Sequence, residues 1–219
     1  MRHLERFENL VAMFFTRAKE KGDAPFLWAK RQGKWQPISW REAAEMVAAL
    51  AATLKGFGLD RGDRVMLVGE NRPEWLISDL AIMASGCVTV PTYTTNTERD
   101  HQHIIDDSGA RAVIVSTAKL AKTLLPATVR SSICEHVVMI EEAPSGQGQE
   151  SNVRMHDWSA LIAAETATAE ACASAADFGR SDLACIIYTS GTGGAPRGVM
   201  QHHGAILHLS LIHISDPRD

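Results

Sequence analysis

Cysteine is scarce and dispersed in this chain. Its four copies, Cys87, Cys134, Cys172 and Cys185, form no Cys-x-x-Cys pair, which excludes a thiolate metal site or a dithiol redox site of the usual spacing. They read as reduced, mostly buried packing residues of a cytosolic protein. Long apolar runs are also missing: nothing approaches the roughly 18 residues that a membrane-spanning helix needs. The opening MRHLERFENL places charges where a secretory signal needs an apolar centre. The expectation is a cytoplasmic protein, with peripheral contact at the inner face of the membrane left open. Charge of one sign is not concentrated anywhere; 22 Lys and Arg stand against 26 Asp and Glu, for a formal charge of −4. That balance argues against a nucleic-acid partner.

What the chain does have is an ordinary globular share of apolar residues, 45% of 219, set in alternating helical and extended patterns. NLVAMFFTRAKEKG places Leu10, Met13, Phe14 and Arg17 at helical spacing and stops at Gly22. Two short aromatic-bearing runs flank Gln32-Gly33, which predicts a hairpin. Ser39 with Glu42 makes a capping-box pattern, followed by Ala43, Val47, Leu50 and Leu54 along one helical face.

From Asp63 onward the pattern turns to α/β. RVMLVG reads as a strand covered on both faces, and Pro73 suits the first turn of a helix closing near Gly86. CVTVPTY reads as a strand ended by Pro91; Thr97 and Asp100 open a helix that stops at DDSGA; RAVIVS, AKLAKTLLPATV and EHVVMI repeat the unit. EEAPSGQGQESN is a surface loop by composition, a helix starts near Asp157, and DLACIIYTSG is a further strand. Repeated strand-helix-strand units predict a largely parallel sheet flanked by helices, with right-handed crossovers.

The last strand runs into YTSGTGGAPRGV, residues 188–199. Glycine loses more backbone freedom on ordering than any other residue, so three in a few positions need a reason. Ligands of open parallel sheets sit at the carboxyl ends of strands. There, successive N–H groups of a glycine-rich turn can form an anion-binding hollow. Thr189, Ser190 and Thr192 add hydroxyls, Pro196 restricts Ala195, and Arg197 offers a planar cation able to fork onto phosphate oxygens. The set fits a polyphosphate. A Walker loop and a dinucleotide fingerprint are both excluded, because Pro196 occupies the position where each needs a glycine. The plain alternative is a surface turn joining a strand to a helix.

YTSGTGGAPRGV closely resembles the phosphate-loop signature of the adenylate-forming, or AMP-binding, enzymes: Tyr-Thr-Ser-Gly-Thr-Thr-Gly-x-Pro-Lys-Gly-Val. The superfamily includes acyl-CoA synthetases, luciferases and peptide-synthetase adenylation domains. IMASGCVTVPTY resembles an upstream strand segment of the same superfamily, while DRVMLVGENRPEW and IIDDSGARAVIVS resemble its long-chain acyl-CoA synthetase branch. Two departures stand in the loop: Gly193 replaces a second threonine, and Arg197 replaces the commoner lysine, keeping the charge but changing its preferred grip. Downstream, the superfamily often shows Thr-His-x-Asn, where this chain has His202, His203, Gly204 and Ala205. His203 is thereby a candidate for the substrate side, with a packing or solvated histidine as the competing reading. His203, His208 and His213 lack a carboxylate or cysteine at ligand spacing, so they do not read as a metal site.

The resemblance implies the incomplete N-terminal part of the adenylate-forming large domain, over residues 1–208. Residues 209–219 read as a non-native or frame-shifted tail. The implied activity is that of a bacterial long-chain fatty acid–CoA ligase: adenylation of a carboxylic acid by ATP with release of pyrophosphate, then thioester formation with coenzyme A. Thr189, Ser190, Gly191, Thr192, Gly193, Gly194 and Arg197 would hold the β- and γ-phosphates, and either Thr189 or Thr192 would face Mg²⁺. Tyr188 would pack rather than touch ligand. The later segments that carry adenine, ribose and lid contacts have no counterpart in the sequence, so the fragment is expected to be inactive alone. It is also expected to be prone to association through uncovered apolar faces. Two other functions fit the same residues: a fragment of an adenylate-forming enzyme for aryl, short-chain or amino acids, or a non-catalytic nucleotide- or partner-binding module.

Overall fold

Helix α1 (Leu10–Lys21) starts where the Asn9 side chain accepts a hydrogen bond from the Ala12 amide, and stops at Gly22 with φ of 53°. The computed structural model describes residues 7–142, 152–189 and 195–214. The buried face of α1 is Val11, Phe14, Phe15 and Ala18, so of the expected Leu10–Met13–Phe14–Arg17 stripe only Phe14 is buried. The buried set keeps i, i+3, i+4, i+7 spacing, and within it Phe14 meets Phe26 and Trp40, which stack on each other at 3.8 Å. Phe26 lies in the strand that follows, and Trp40 opens the second helix. Strands β1 (Pro25–Arg31) and β2 (Lys34–Ser39) pair as a separate antiparallel hairpin. Its turn places Gln32 and Gly33 at φ of 51° and 80°, a primed turn as expected.

Helix α2 (Trp40–Gly56) opens with both halves of the Ser39–Glu42 capping box formed. Its Ala43, Val47, Leu50 and Leu54 are wholly buried; full burial of a leucine or valine contributes about 1.5–3 kcal/mol relative to exposure. The α/β layer follows. Its strands are β3 (Arg64–Val68), β4 (Val88–Thr92), β5 (Ala110–Val115), β6 (His136–Met139), β7 (Arg154–Asp157), β8 (Leu183–Thr189) and β9 (Arg197–His202). Helices α3 (Pro73–Ala84), α4 (Glu98–Ser108), α5 (Ala118–Arg130), α6 (Trp158–Ala164), α7 (Ala169–Ser174) and α8 (His203–Ile214) connect or follow them.

The sheet has the order β7-β6-β5-β3-β4-β8-β9. Every neighbouring pair is parallel except β8 with β9. Alternate residues of the central strands divide between two cores. Val65, Leu67, Ala112 and Ile114 face α1, α2 and α3, while Met66, Val68, Val113 and Val115 face α4 and α5. This two-sided burial is why RVMLV and RAVIV read as continuous apolar runs. Two local signals fix α4: the Thr97–Asp100 capping box, and Gly109 in the left-handed region at φ 66° and ψ 39°.

Three elements differ from the sequence expectation. Pro91 lies inside β4, opposite Leu67, rather than ending it. The β4–β8 ladder is registered only at Thr89 and Cys185, so no β8 pairing is registered at Pro91, where β4 lacks an amide. Strand β7 was not expected; Asp157 is its last residue and also caps α6, accepting from the Ala160 amide at 2.6 Å. Strand β9 was not expected either. Of the EEAPSGQGQESN segment, residues 143–151 lie outside the described residues, as do 215–219 of the tail, while α8 extends to Ile214. The four cysteines are free, Cys87 and Cys134 buried and the other two half-buried. Apolar side chains remain exposed on the β8–β9 hairpin: Ile187 at 41%, its cross-strand partner Val199 at 43%, and Met200 at 71%. Among the described residues no helix is long and apolar enough to cross a membrane.

Candidate functional site

Parallel pairing of β3, β4 and β8 sets their carboxyl ends on one edge of the sheet, the edge where such sheets bind ligands. The glycine-rich turn leaves β8 at that edge. It returns not into a helix but into the antiparallel strand β9, with Thr189 directly opposite Arg197 at the mouth. Four of the residues after the turn, Gly-Val-Met-Gln, take the extended form because β8 offers them a free edge to pair with. Ser190, Gly191, Thr192, Gly193 and Gly194 lie outside the described residues. Of the expected site residues, the structure thus brings together Thr189 and Arg197, both exposed. Arg197 has no ion pair among the described residues, so its charge faces solvent beside the turn.

The stems are held tightly. Tyr188, 4% exposed, joins the second core, and its hydroxyl donates to Asp107 Oδ2 on α4 at 2.6 Å. Burial, with the Asp107 carboxylate adding to it, holds the phenol well above its ordinary pKa, so it stays protonated. Opposite Tyr188 in the ladder is Gly198. A Cβ there would stand 2.8 Å from Ile186 Cγ2 and 3.1 Å from Tyr188 Cζ, so the glycine makes room for the tyrosine ring. On the other stem, His103 Nε2 lies 2.9 Å from the Pro196 carbonyl oxygen. A cleft of 370 Å³ opens beside the turn, lined by His103, Asp107, Ala195, Pro196, Arg197 and Gly198. His103 and Asp107 gave no motif in the sequence; their spacing of four on a helix is a face signal only once a partner is known.

His203 is placed elsewhere. It follows β9 at the end opposite Arg197, six residues along an extended strand and so about 20 Å from the turn. It is 2% exposed, stacks on Phe178 at 5.0 Å, and its Nδ1 accepts from the Leu10 amide at 3.3 Å. Burial pushes its pKa down to about 4, partly offset by the Asp182 carboxylate, so the ring is neutral. It ties the start of α1 to the start of α8 and does not meet Thr189 or Arg197. Among the described residues no group of three or more His, Cys, Asp or Glu side chains is arranged to hold a metal ion.

An open, mainly parallel α/β sheet whose strand β8 ends at the carboxyl edge in a glycine-rich segment is the architecture in which ligands are commonly bound across strand ends. The chain belongs to the AMP-binding enzyme family, whose model matches residues 14–218. Among curated proteins it is similar to the long-chain-fatty-acid–CoA ligase FadD15 of Mycobacterium tuberculosis, 30% identical over 92% of this chain and 32% of that protein. It thus spans about a third of the length of that curated relative. Among solved structures, acetoacetyl-CoA synthetase from Streptomyces lividans superposes with a TM-score of 0.77 at 22% identity, covering 94% of this chain and 32% of its own; this likeness carries the fold alone. ATP-bound MatB from Rhodopseudomonas palustris matches with a TM-score of 0.67 at 26% identity, over 93% of this chain and 37% of its own.

Proposed function

We propose that the chain is the N-terminal part of an ATP-dependent long-chain acyl-CoA ligase and supplies that enzyme's grip on the triphosphate. The observation that carries this reading is the hairpin mouth. It sets an exposed threonine and a guanidinium with no ion pair among the described residues opposite each other at the carboxyl edge of the sheet, in a chain of the AMP-binding enzyme family. The long-chain preference draws its support from the curated relative named above.

In this reading the backbone amides of residues 189–194 and the hydroxyls of Thr189, Ser190 and Thr192 hold the β- and γ-phosphate oxygens. Arg197 sets its planar cation against the same charge. Either Thr189 or Thr192 would offer its hydroxyl oxygen to Mg²⁺, an ion that takes oxygen ligands together with substrate phosphates. ATP supplies the activated α-phosphorus and the pyrophosphate leaving group, while the residues of this chain orient the tail and neutralise spread charge. Adenylation of the fatty acid and capture of the acyl group by coenzyme A need the rest of the enzyme, so the 219-residue chain binds without turning over.

The test is calorimetric titration of this chain with ATP and magnesium, wild type against Arg197→Glu. Loss of one charge-assisted contact, with repulsion in its place, should weaken ATP binding by about ten- to a hundredfold. Unchanged affinity would remove the reading. For the whole gene product, ATP–pyrophosphate exchange with fatty, aryl and amino acids should favour long-chain fatty acids; exchange with aryl or amino acids alone would replace that substrate class.

A further inference from the structure

We propose that His103 and Asp107 of α4 are positioning residues for the phosphate-binding turn, acting as a clamp that fixes both of its stems from one helix face. The proposal rests on the reading of that turn given above. Residues four apart on a helix project from the same side, and here each takes a different stem. Asp107 accepts the Tyr188 hydroxyl at 2.6 Å, one residue before Thr189. His103 Nε2 meets the Pro196 carbonyl at 2.9 Å, one residue before Arg197. A carbonyl oxygen only accepts, so Nε2 is the nitrogen that carries the proton. The two contacts form one unit, because the His103 ring stands edge-on to the Tyr188 ring, 6.4 Å between centroids at 88°.

The clamp is itself anchored. Helix α4 is capped at both ends, and Ile104 and Ile105, between the two clamp residues, are buried in the second core. A rigid helix thus fixes the two backbone positions from which Thr189 and Arg197 project. The physical gain is preorganisation: stems that are already held in place need not be positioned when a polyanion binds. Neither clamp residue touches that ligand in this scheme.

The experiment uses the 219-residue chain with three readouts. In the wild type, the ¹⁵N-imidazole spectrum of His103 should show the Nε2–H tautomer with slowed proton exchange; an Nδ1–H tautomer overturns the clamp without any variant. His103→Leu should speed trypsin cleavage at the Arg197–Gly198 bond and weaken ATP binding about fivefold, the worth of one neutral hydrogen bond. His103→Gln, whose amide N–H can reach the same carbonyl, should restore both. Leucine and glutamine variants that behave alike, whether both like wild type or both equally impaired, refute the positioning role. A wild-type chain that binds no ATP removes the polyphosphate reading instead, and the cleavage rates and tautomer still decide the clamp.

Discussion

Acid should loosen the seam between α1 and α8 at His203, and the size of the effect can be worked from its surroundings. The imidazole is 2% exposed and its Nδ1 is engaged by the Leu10 amide. Burial holds its folded-state pKa at about 4, against 6.5 for the unconstrained side chain. Between those values the unfolded chain binds the extra proton and the folded chain does not. Stability from this group is therefore complete above pH 6.5 and declines as the pH falls toward 4. The whole span amounts to about 3 kcal/mol, of which about 2 kcal/mol is already lost at about pH 5. In a chain of this size that is a fall of roughly 4–8 °C in melting midpoint.

Other groups titrate in the same range. His101, His136 and His156 are held down by burial and add to the loss, whereas Asp79, pushed up to about 6 by burial, works against it. The informative quantity is consequently a difference between proteins. His203→Gln keeps an acceptor for the Leu10 amide but cannot be protonated, so its melting midpoint should fall by about 4–8 °C less than that of wild type between about pH 7.5 and pH 5. Parallel pH profiles for the two proteins would show that His203 is not the group responsible.

Two further perturbations test the packing around the site and beneath it. Gly198→Ala places a methyl 2.8 Å from Ile186 Cγ2 and against the Tyr188 ring; it should cost about 1–3 kcal/mol in urea unfolding, and a neutral result would mean that the hairpin has slack. Leu54→Ala removes a wholly buried side chain of the first core; the expected loss is about 2–5 kcal/mol with an unchanged denaturant slope, and a loss below about 1 kcal/mol would contradict the packing described.

The elements legible in the sequence were those fixed by chemistry within a few residues. Ser39 with Glu42 and Thr97 with Asp100 each exchange hydrogen bonds across three positions, so both helix starts could be placed. Gln32-Gly33 announced its turn because few residues tolerate positive φ. RVMLV and RAVIV were plain because both of their faces are buried. What escaped depends on distant partners. Arg154–Asp157 carries no apolar run and becomes a strand only by pairing with β6. The buried face of α1 is an exception: Val11, Phe14, Phe15 and Ala18 follow i, i+3, i+4, i+7 spacing, so the local pattern held it beside the Leu10–Met13–Phe14–Arg17 stripe. At the site, the turn's residue types were readable, but its return as a strand was not. His103 and Asp107 reach Pro196 and Tyr188 across 93 and 81 residues, a separation no local pattern encodes.

The antiparallel step from β8 to β9 also sets an order of assembly. Its two strands are sequence neighbours, so they can zip on the microsecond scale of an ordinary hairpin. The registered bridge to the parallel strands, Thr89 with Cys185, joins residues about a hundred apart and must wait for slow loop closure. The ladder between the two strands can therefore form early, while its contacts with α4, which join residues 93 and 81 apart, wait for longer loop closure.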